Sequence, residues 1–472
     1  MPLHKTVIHL WMSSSNLDLV QDSRRPRVRM SLREPPPHAR ASFGVGGAVG
    51  VVINMVLFVM DIVSDCLLAY VLWQQAQTDS TNIHVSSEPI TWFIITLCII
   101  LIPMVVINLF SLLWYSQNKQ CLGEYSVLHK MGKCATVQRV LMHLLLLGPL
   151  VRYMDILQYG IKMRQERKHV EMGMMRGSSA IMRRTPRGEV YAVLQMVISR
   201  DSAMLDMMHS FLQDAPQLIF QVFLLYRRPE LITGTLQESP YTTAVQVWKI
   251  ALGVTAISWS LVTYQEELRR SVPGKMKLTF CASITCLMWR AAMVASRVLA
   301  IGSFAAIYAP EGARTALTVH LREDGSVHMP FPIVTACVLG AHWLIMVAWI
   351  HAQGTNFCSG EEEGQSQPML EFLYNCVMGL VHVFCYMNLK DSPSRRRMAF
   401  FYAFCLIENT AMISVWCVEM EPHLSVWFRA VMVFSVEVLW MVGLCCLIGY
   451  YAFLHPDKDN LGSSRNTASW RD

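Results

Sequence analysis

The chain has 472 residues, 53% hydrophobic and 16% charged, with a mean hydropathy of +0.34. Soluble domains carry about a quarter charged residues, so the composition excludes a soluble globular protein and points to a polytopic membrane protein. A formal charge of +6 is too small to suggest a nucleic-acid partner.

Residues 1–42 hold seven Lys/Arg, from Lys5 to Arg40, and a proline run at Pro35 to Pro37. Their apolar piece, "TVIHLWM", is too short for the core of a signal peptide. The segment reads as a disordered basic cytosolic tail. Ten apolar segments follow, at about 46–73, 90–116, 137–160, 202–226, 241–266, 278–308, 331–352, 369–389, 398–420 and 426–453. Each is long enough to cross a bilayer, which takes about 20 helical residues. Two differ in character. Segment 137–160 has Gly148-Pro149 at its middle and carries Arg139, His143, Arg152 and Asp155. Segment 369–389 has a central Gly379 with His382 nearby. The fourteen cysteines form no CxxC pair and lie mostly in apolar segments, where Cys is a small core hydrophobe.

Lys and Arg stay on the cytosolic side, so their distribution chooses between topologies. If all ten segments span, the loops hold 21 inside and 13 outside, with nine outside in residues 161–201 alone. If segments 137–160 and 369–389 enter and leave on the cytosolic side, the counts become 30 and 4. The second arrangement is an all-α polytopic membrane protein with eight spans and two re-entrant helices in two parallel pseudo-repeats, 43–266 and 278–453. Residues 161–201 are then a cytosolic loop, 267–277 a cytosolic linker and 454–472 a short cytosolic tail. A kinked ordinary span is the alternative for segment 137–160. The outside loops contain neither cysteine nor an N-x-[ST] sequon, so outer disulfides and N-glycans are not expected.

Charges inside the spans mark the candidate site. In "MDIVSDCLLAYVLW", Asp61 and Asp65 lie four residues apart and share one helix face. A bare Asp at mid-membrane costs about 3 kcal/mol on insertion scales. Asp206 and Asp214 fall in 202–226 beside Gln213, Gln217 and Gln221. Arg290 and Arg297 share a face of 278–308, Glu408 lies in 398–420, and Arg429 and Glu437 in the last segment. Such residues face the bundle interior, pair with one another and mark pathways. Structural ion pairs that fix helix register are the plainer alternative for any one of them. Spread over many helices, they suit a zwitterionic or anionic headgroup better than a metal ion, whose tight ligand spacing is absent. No Walker A, G-x-S-x-G or H-E-x-x-H motif is present, so neither an enzyme nor an ATP-driven pump is expected, and no cofactor or metal.

The charged segments also carry a resemblance. "MHLLLLGPLVRYMD", "RDSAMLDMMHSFLQDAPQLIFQVFLL", "ISWSLVTYQEELR", "MWRAAMVASRV", "RRRMAFFYAFCLIENTAM" and the closing "LHP" resemble the XK-related family from about Val51 to Pro456, most specifically at "FLQDAPQL". The D-x-x-x-D of the first span, "SAMLDMMHSFL" and "WSLVTYQEELR" are similar to its apoptotic phospholipid scramblases. The XK branch typically differs there and has a cysteine linking it to a partner peptidase. The resemblance implies eight spanning and two re-entrant helices, and energy-independent exposure of phosphatidylserine, with phosphatidylcholine also moved, after a caspase cuts a tail. It implies a plasma-membrane protein with both termini cytosolic, and a lipid path on charged residues of the first span, here Asp61 and Asp65. A single-span immunoglobulin-like glycoprotein as chaperone is a further implied partner, and a homodimer is open.

In that reading Asp61, Asp65, Arg152, Asp155, Asp206, Asp214, Arg290, Arg297, Glu408 and Glu437 form the lipid path. The arginines of 278–308 would balance the acids or bind phosphate. The sequence departs from the vertebrate scramblases at the activation site. The tail after Pro456 has no D-x-x-D, and "DLVQDS" in the N-terminal tail makes Asp22 the caspase candidate. Two rivals remain: a solute transporter using the broken segments, and a scaffold docking a lipid-transfer or single-span protein. For the scaffold, "GEVYAVLQMVI" (Gly188 to Ile198) could offer an edge strand, or simply continue as helix into 202–226.

Overall fold

The computed structural model describes residues 43–80, 88–122, 133–175, 186–226, 240–271, 276–307, 320–321, 327–328, 330–354, 368–388, 395–420 and 424–456. Asp22 lies outside them. The first half consists of α1 (Val45–Ser80), α2 (Glu88–Leu122), α3 (Lys133–Leu144), α4 (Gly148–Met175), α5 (Pro186–His209), a π-helical turn (Ser210–Asp214), α6 (Ala215–Tyr226) and α7 (Pro240–Ser271). The second half holds α8 (Phe280–Ala305), α9 (Phe331–Ala352), α10 (Pro368–Phe384), α11 (Arg395–Glu419) and α12 (Val426–Gly449), closed by a π turn at Tyr450–Leu454. Between α8 and α9, His320–Leu321 pairs antiparallel with Val327–His328.

Seven helices of the described residues are long and apolar enough to cross a membrane: Val45–Gln77, Ile90–Tyr115, Tyr241–Arg270, Phe280–Ala305, Phe331–Ala352, Arg395–Glu419 and Val426–Leu454. The segment expected at 202–226 is helical, but it is the end of a longer and more polar helical run that starts at Pro186. Within the cytosolic segment expected at 161–201, the described residues are helical, since α4 continues to Met175 and α5 begins at Pro186. Gly188 to Ile198 lies wholly inside α5 and offers no strand edge.

α8 is the hub, packed against α6, α7, α9, α11 and α12. Its Val294, Val298 and Ile301 join Met207, Phe211, Leu218 and Trp416 in the largest apolar core. Thr279 caps its start by accepting a hydrogen bond from the Ala282 N–H at 3.3 Å. Close approach of α6 requires Gly302, since a Cβ there would fall against Val222 Cβ at 2.7 Å. The outer surface is apolar: Trp427, Phe434 and Ile407 are exposed. Large apolar side chains facing outward fit a hydrocarbon solvent, because lipid imposes no hydrophobic penalty on them.

The broken segment is a helix-turn-helix, α3 to α4, and the break falls at Leu145 to Leu147 rather than at Gly148-Pro149. Leu146 adopts φ 62°. Its N–H bonds the His143 carbonyl at 3.0 Å and the Leu147 N–H bonds the Met142 carbonyl at 2.9 Å, a Schellman ending. Pro149 then sits in the first turn of α4, where its missing N–H costs nothing. Gly148 serves contact rather than flexibility. A Cβ there would lie 2.5 Å from His143 Cδ2 and also strike Asn108 Oδ1, which accepts the Gly148 N–H at 2.8 Å. Gly148→Ala is expected to lower the melting temperature clearly, by a steric cost of about 1–3 kcal/mol, whereas Gly46→Ala, with open space around its Cβ, is not.

Candidate functional site

Asp61 and Asp65 on α1 face a lysine, not an arginine. Lys249, on α7, is 1% exposed. Its ammonium pairs with Asp61, lies 2.6 Å from Asp65 Oδ1 and 4.0 Å from Asp214 Oδ1. Gln213 braces the acids from the π turn, donating to Asp65 Oδ2 at 2.6 Å and Asp61 Oδ2 at 3.3 Å. His209 Nε2 lies 2.9 Å from Gln213 Oε1 and 3.9 Å from Asp61 Oδ2. "FLQDAPQL" builds this geometry. Pro216 has no N–H to continue an α-helical ladder, and the wider turn before it closes with the Ala215 N–H on the Ser210 carbonyl. That turn puts two consecutive polar residues, Gln213 and Asp214, into the interior, both buried.

A second polar group surrounds the helical break. Asp155 pairs with Arg139 across the turn and accepts from the Tyr115 hydroxyl at 2.7 Å. Arg152 does not pair with Asp155. It donates to Ser111 Oγ and to the Ser111 carbonyl, each at 2.7 Å, and stacks 4.3 Å from the Tyr115 ring. Ser111 Oγ also meets His143 Nε2 at 2.8 Å. Asp206 is bonded by the Tyr153 hydroxyl at 2.6 Å.

In the second half, Arg297 Nη2 pairs with Glu408 Oε2 at 2.6 Å, and His342 Nδ1 meets the same oxygen at 2.7 Å. Arg297 also donates to Asn409 Oδ1 at 2.8 Å and to the Val383 carbonyl at 3.1 Å. Arg290 donates to the Tyr386 carbonyl at 2.5 Å and lies 4.2 Å from the Trp289 ring centre. Both arginines of α8 therefore hold the C-terminal end of α10. Glu437 stands apart and accepts from Thr410 Oγ1 at 2.8 Å. Arg429 donates to the Cys417 carbonyl at 2.9 Å.

The halves share one local device. His143 Nδ1 lies 2.7 Å from the carbonyl of Arg139, and His382 Nδ1 lies 2.7 Å from that of Met378. Each histidine is buried close to the end of its short helix, in α3 and α10 respectively.

A cavity of about 50 Å³ opens beside the first cluster. Asn54, Phe58 and Asp61 of α1, Tyr153 of α4, Asp206 and His209 of α5, Asp214 of the π turn and Trp259 of α7 line it. At about 10–15 Å³ of such space per water it has room for a few water molecules. The Trp259 indole N–H donates to Asn54 Oδ1 at 2.5 Å and ties α7 to α1 at its wall. Among the described residues, no group of three His, Cys, Asp or Glu has metal-binding geometry.

The structure thus brings Asp61, Asp65, Asp206 and Asp214 to one region, gathers Arg152 and Asp155 around the break, and places Arg290, Arg297 and Glu408 in the other half. Sequence reasoning missed Lys249, the partner of the acids. Its signal was a single lysine inside the apolar run 241–266. The motif ends meet as well: Glu266 accepts from Ser283 Oγ at 2.5 Å, and Arg269 Nη2 lies 3.2 Å from His455 Nε2, so "QEELR" and "LHP" join α7 to the end of α12.

A sequence model described as "XK-related protein" matches residues 49–313 and 327–456. The chain is 22% identical over 371 residues to XK-related protein 8 of Gasterosteus aculeatus, covering 78% of this chain and 76% of that one. It is also 22% identical over 373 residues to XK-related protein 8 of Tetraodon nigroviridis, covering 77% and 75%. The family match covers most of the chain and includes the helices that carry all three polar groups. The chain belongs to the XK-related family.

Proposed function

We propose that the protein is an energy-independent phospholipid scramblase of the plasma membrane. In this reading it exposes phosphatidylserine during apoptosis, after a caspase cuts a cytosolic tail. Eight crossings, with α3–α4 and α10 re-entrant and both termini cytosolic, agree with the Lys/Arg distribution. The observation that carries the reading is the buried cluster of Asp61, Asp65, Asp214 and Lys249 beside a small cavity that Asp61, Asp214 and the half-buried Asp206 line between apolar helices. Acids and a base side by side at membrane depth complement a zwitterionic headgroup, while the acyl tails stay in lipid and the headgroup avoids the cost of entering hydrocarbon. The cavity lies where the Trp259–Asn54 hydrogen bond ties α7 to α1, and in this reading the two helices part for passage. A single-span immunoglobulin-like glycoprotein is the proposed chaperone.

The test is reconstitution into liposomes with fluorescent lipid on both leaflets and no ATP. An outer-leaflet quencher is expected to reach the inner pool, more so after caspase treatment. If it does so with neither form, the scramblase reading fails. Removing the tie between α1 and α7 should ease their separation. Trp259→Phe is therefore expected to raise the scrambling rate several-fold in the same assay, with the protein still eluting as a single folded peak.

A further inference from the structure

We propose that Asp214 holds an exchangeable proton that keeps the cluster closed, and that its loss to water opens the lipid path. Charge counting leads there first. Three carboxylates, Asp61, Asp65 and Asp214, converge on one ammonium, Lys249. With His209 neutral the cluster is two charges short of balance, and with His209 protonated it is still one short. An uncompensated charge at membrane depth costs several kcal/mol, and adjacent carboxylates that cannot all ionise share a proton.

Geometry then selects the residue. Asp61 and Asp65 both contact the lysine and both accept from Gln213. Asp214 is 2% exposed, and its Oδ1 has no hydrogen-bond partner and stays 4.0 Å from Nζ, whereas Asp65 Oδ1, likewise without a hydrogen bond, lies against the ammonium at 2.6 Å. The carboxyl lines the cavity, where water can exchange the proton. Beyond it, Gln217 and Gln221 of α6 and Gln246 of α7 are fully buried, and none of their amide atoms has a protein partner. Buried amides require water, and Gln217 and Gln221 follow Asp214 at helical spacing, so polar contact continues along α6.

The other ionisable groups around Asp214 are few. α1 contributes Asp61 and Asp65, α7 Lys249, α5 His209 and Asp206, and α4 Tyr153, while α2 contributes Ile107 to the cavity wall. Asp206 is already bonded by Tyr153. Arg290 and Arg297 of α8 are committed to α10 and Glu408. Proton loss from Asp214 adds one negative charge to the cluster, which repels α1 from the π turn and attracts the ammonium of a phospholipid headgroup.

This inference rests on the scramblase reading only for its second readout. The first is infrared difference spectroscopy of the full chain in nanodiscs between mildly acidic and alkaline buffer. A protonated-carboxyl stretching band is expected in acid, lost in alkali, retained in Asp206→Asn and absent in Asp214→Asn. Spectra of wild type and Asp214→Asn that match in this region overturn the proposal, whether or not lipid moves. The second readout is liposome scrambling against pH. The wild-type rate is expected to rise several-fold from acid to alkali, and Asp214→Asn to stay low and flat. A titrating band with a pH-independent wild-type rate, or a pH response retained in Asp214→Asn, overturns the gating role. Absence of scrambling under every condition counts against the proposed function instead, and the band still decides the proton site.

Discussion

Lys249→Met is expected to be the most damaging single substitution in the first half of the chain. It leaves Asp61, Asp65 and Asp214 facing one another in the interior without their cation. Breaking a buried pair by removing one partner costs about 3–5 kcal/mol, because the orphaned charge stays desolvated. That corresponds to roughly two to four orders of magnitude in the folding equilibrium. The check is the melting temperature in detergent, followed by size-exclusion chromatography. The physical cause predicts a specific rescue: adding Asp61→Asn and Asp65→Asn to Lys249→Met should recover most of the lost stability, since the amides keep the shape and remove the charge. Failure of the triple variant to recover would place the lysine's contribution in packing. Asp61→Asn alone should be far milder, because Lys249 retains Asp65.

Arg297→Met is the counterpart in the second half. One 1%-exposed guanidinium holds Glu408, Asn409 and the Val383 carbonyl. Its loss leaves Glu408 with His342 alone and frees the end of α10, with an expected cost of about 3 kcal/mol, the lower end of the range for breaking a buried pair. Arg297→Lys should recover little, because an ammonium lacks the planar fork that reaches three acceptors. Glu408→Gln should lose much less, since the amide oxygen still accepts from Arg297. Hydrogen exchange of the amides in residues 374–384 separates the cases: faster exchange in Arg297→Met, near wild-type exchange in Glu408→Gln. If Arg297→Met leaves both melting temperature and exchange unchanged, α10 is not fastened by this arginine.

Both results bear on how a set of intramembrane charges is read. Arg290 and Arg297 share a face of α8, and Asp61 and Asp65 share a face of α1, so pairing between the two faces was a fair expectation. The fold sends them apart. The arginines donate to backbone at and just past the end of α10, where a terminating helix leaves carbonyls without intrahelical donors. The acids meet the lysine of α7. The break in segment 137–160 was legible from Gly148-Pro149 to within a few residues. Its position was not, because a leucine at positive φ, held by two Schellman bonds, is invisible to turn-residue rules.

The sequence by itself determined the membrane class, the order of long and short helical segments, and the family, through "FLQDAPQL" and its companions. These properties are local or compositional: hydropathy, spacing and charge are summed along the chain. Only the tertiary structure decided which charge meets which. Lys249 and Asp61 are far apart in sequence, and whether a buried acid finds a lysine, an arginine or water depends on helix rotation and the phase shift of one π turn. A single residue of helical phase turns a side chain by about 100°. No one-dimensional pattern fixes that to the ångström, and at membrane depth an ångström separates a salt bridge from an unpaired charge.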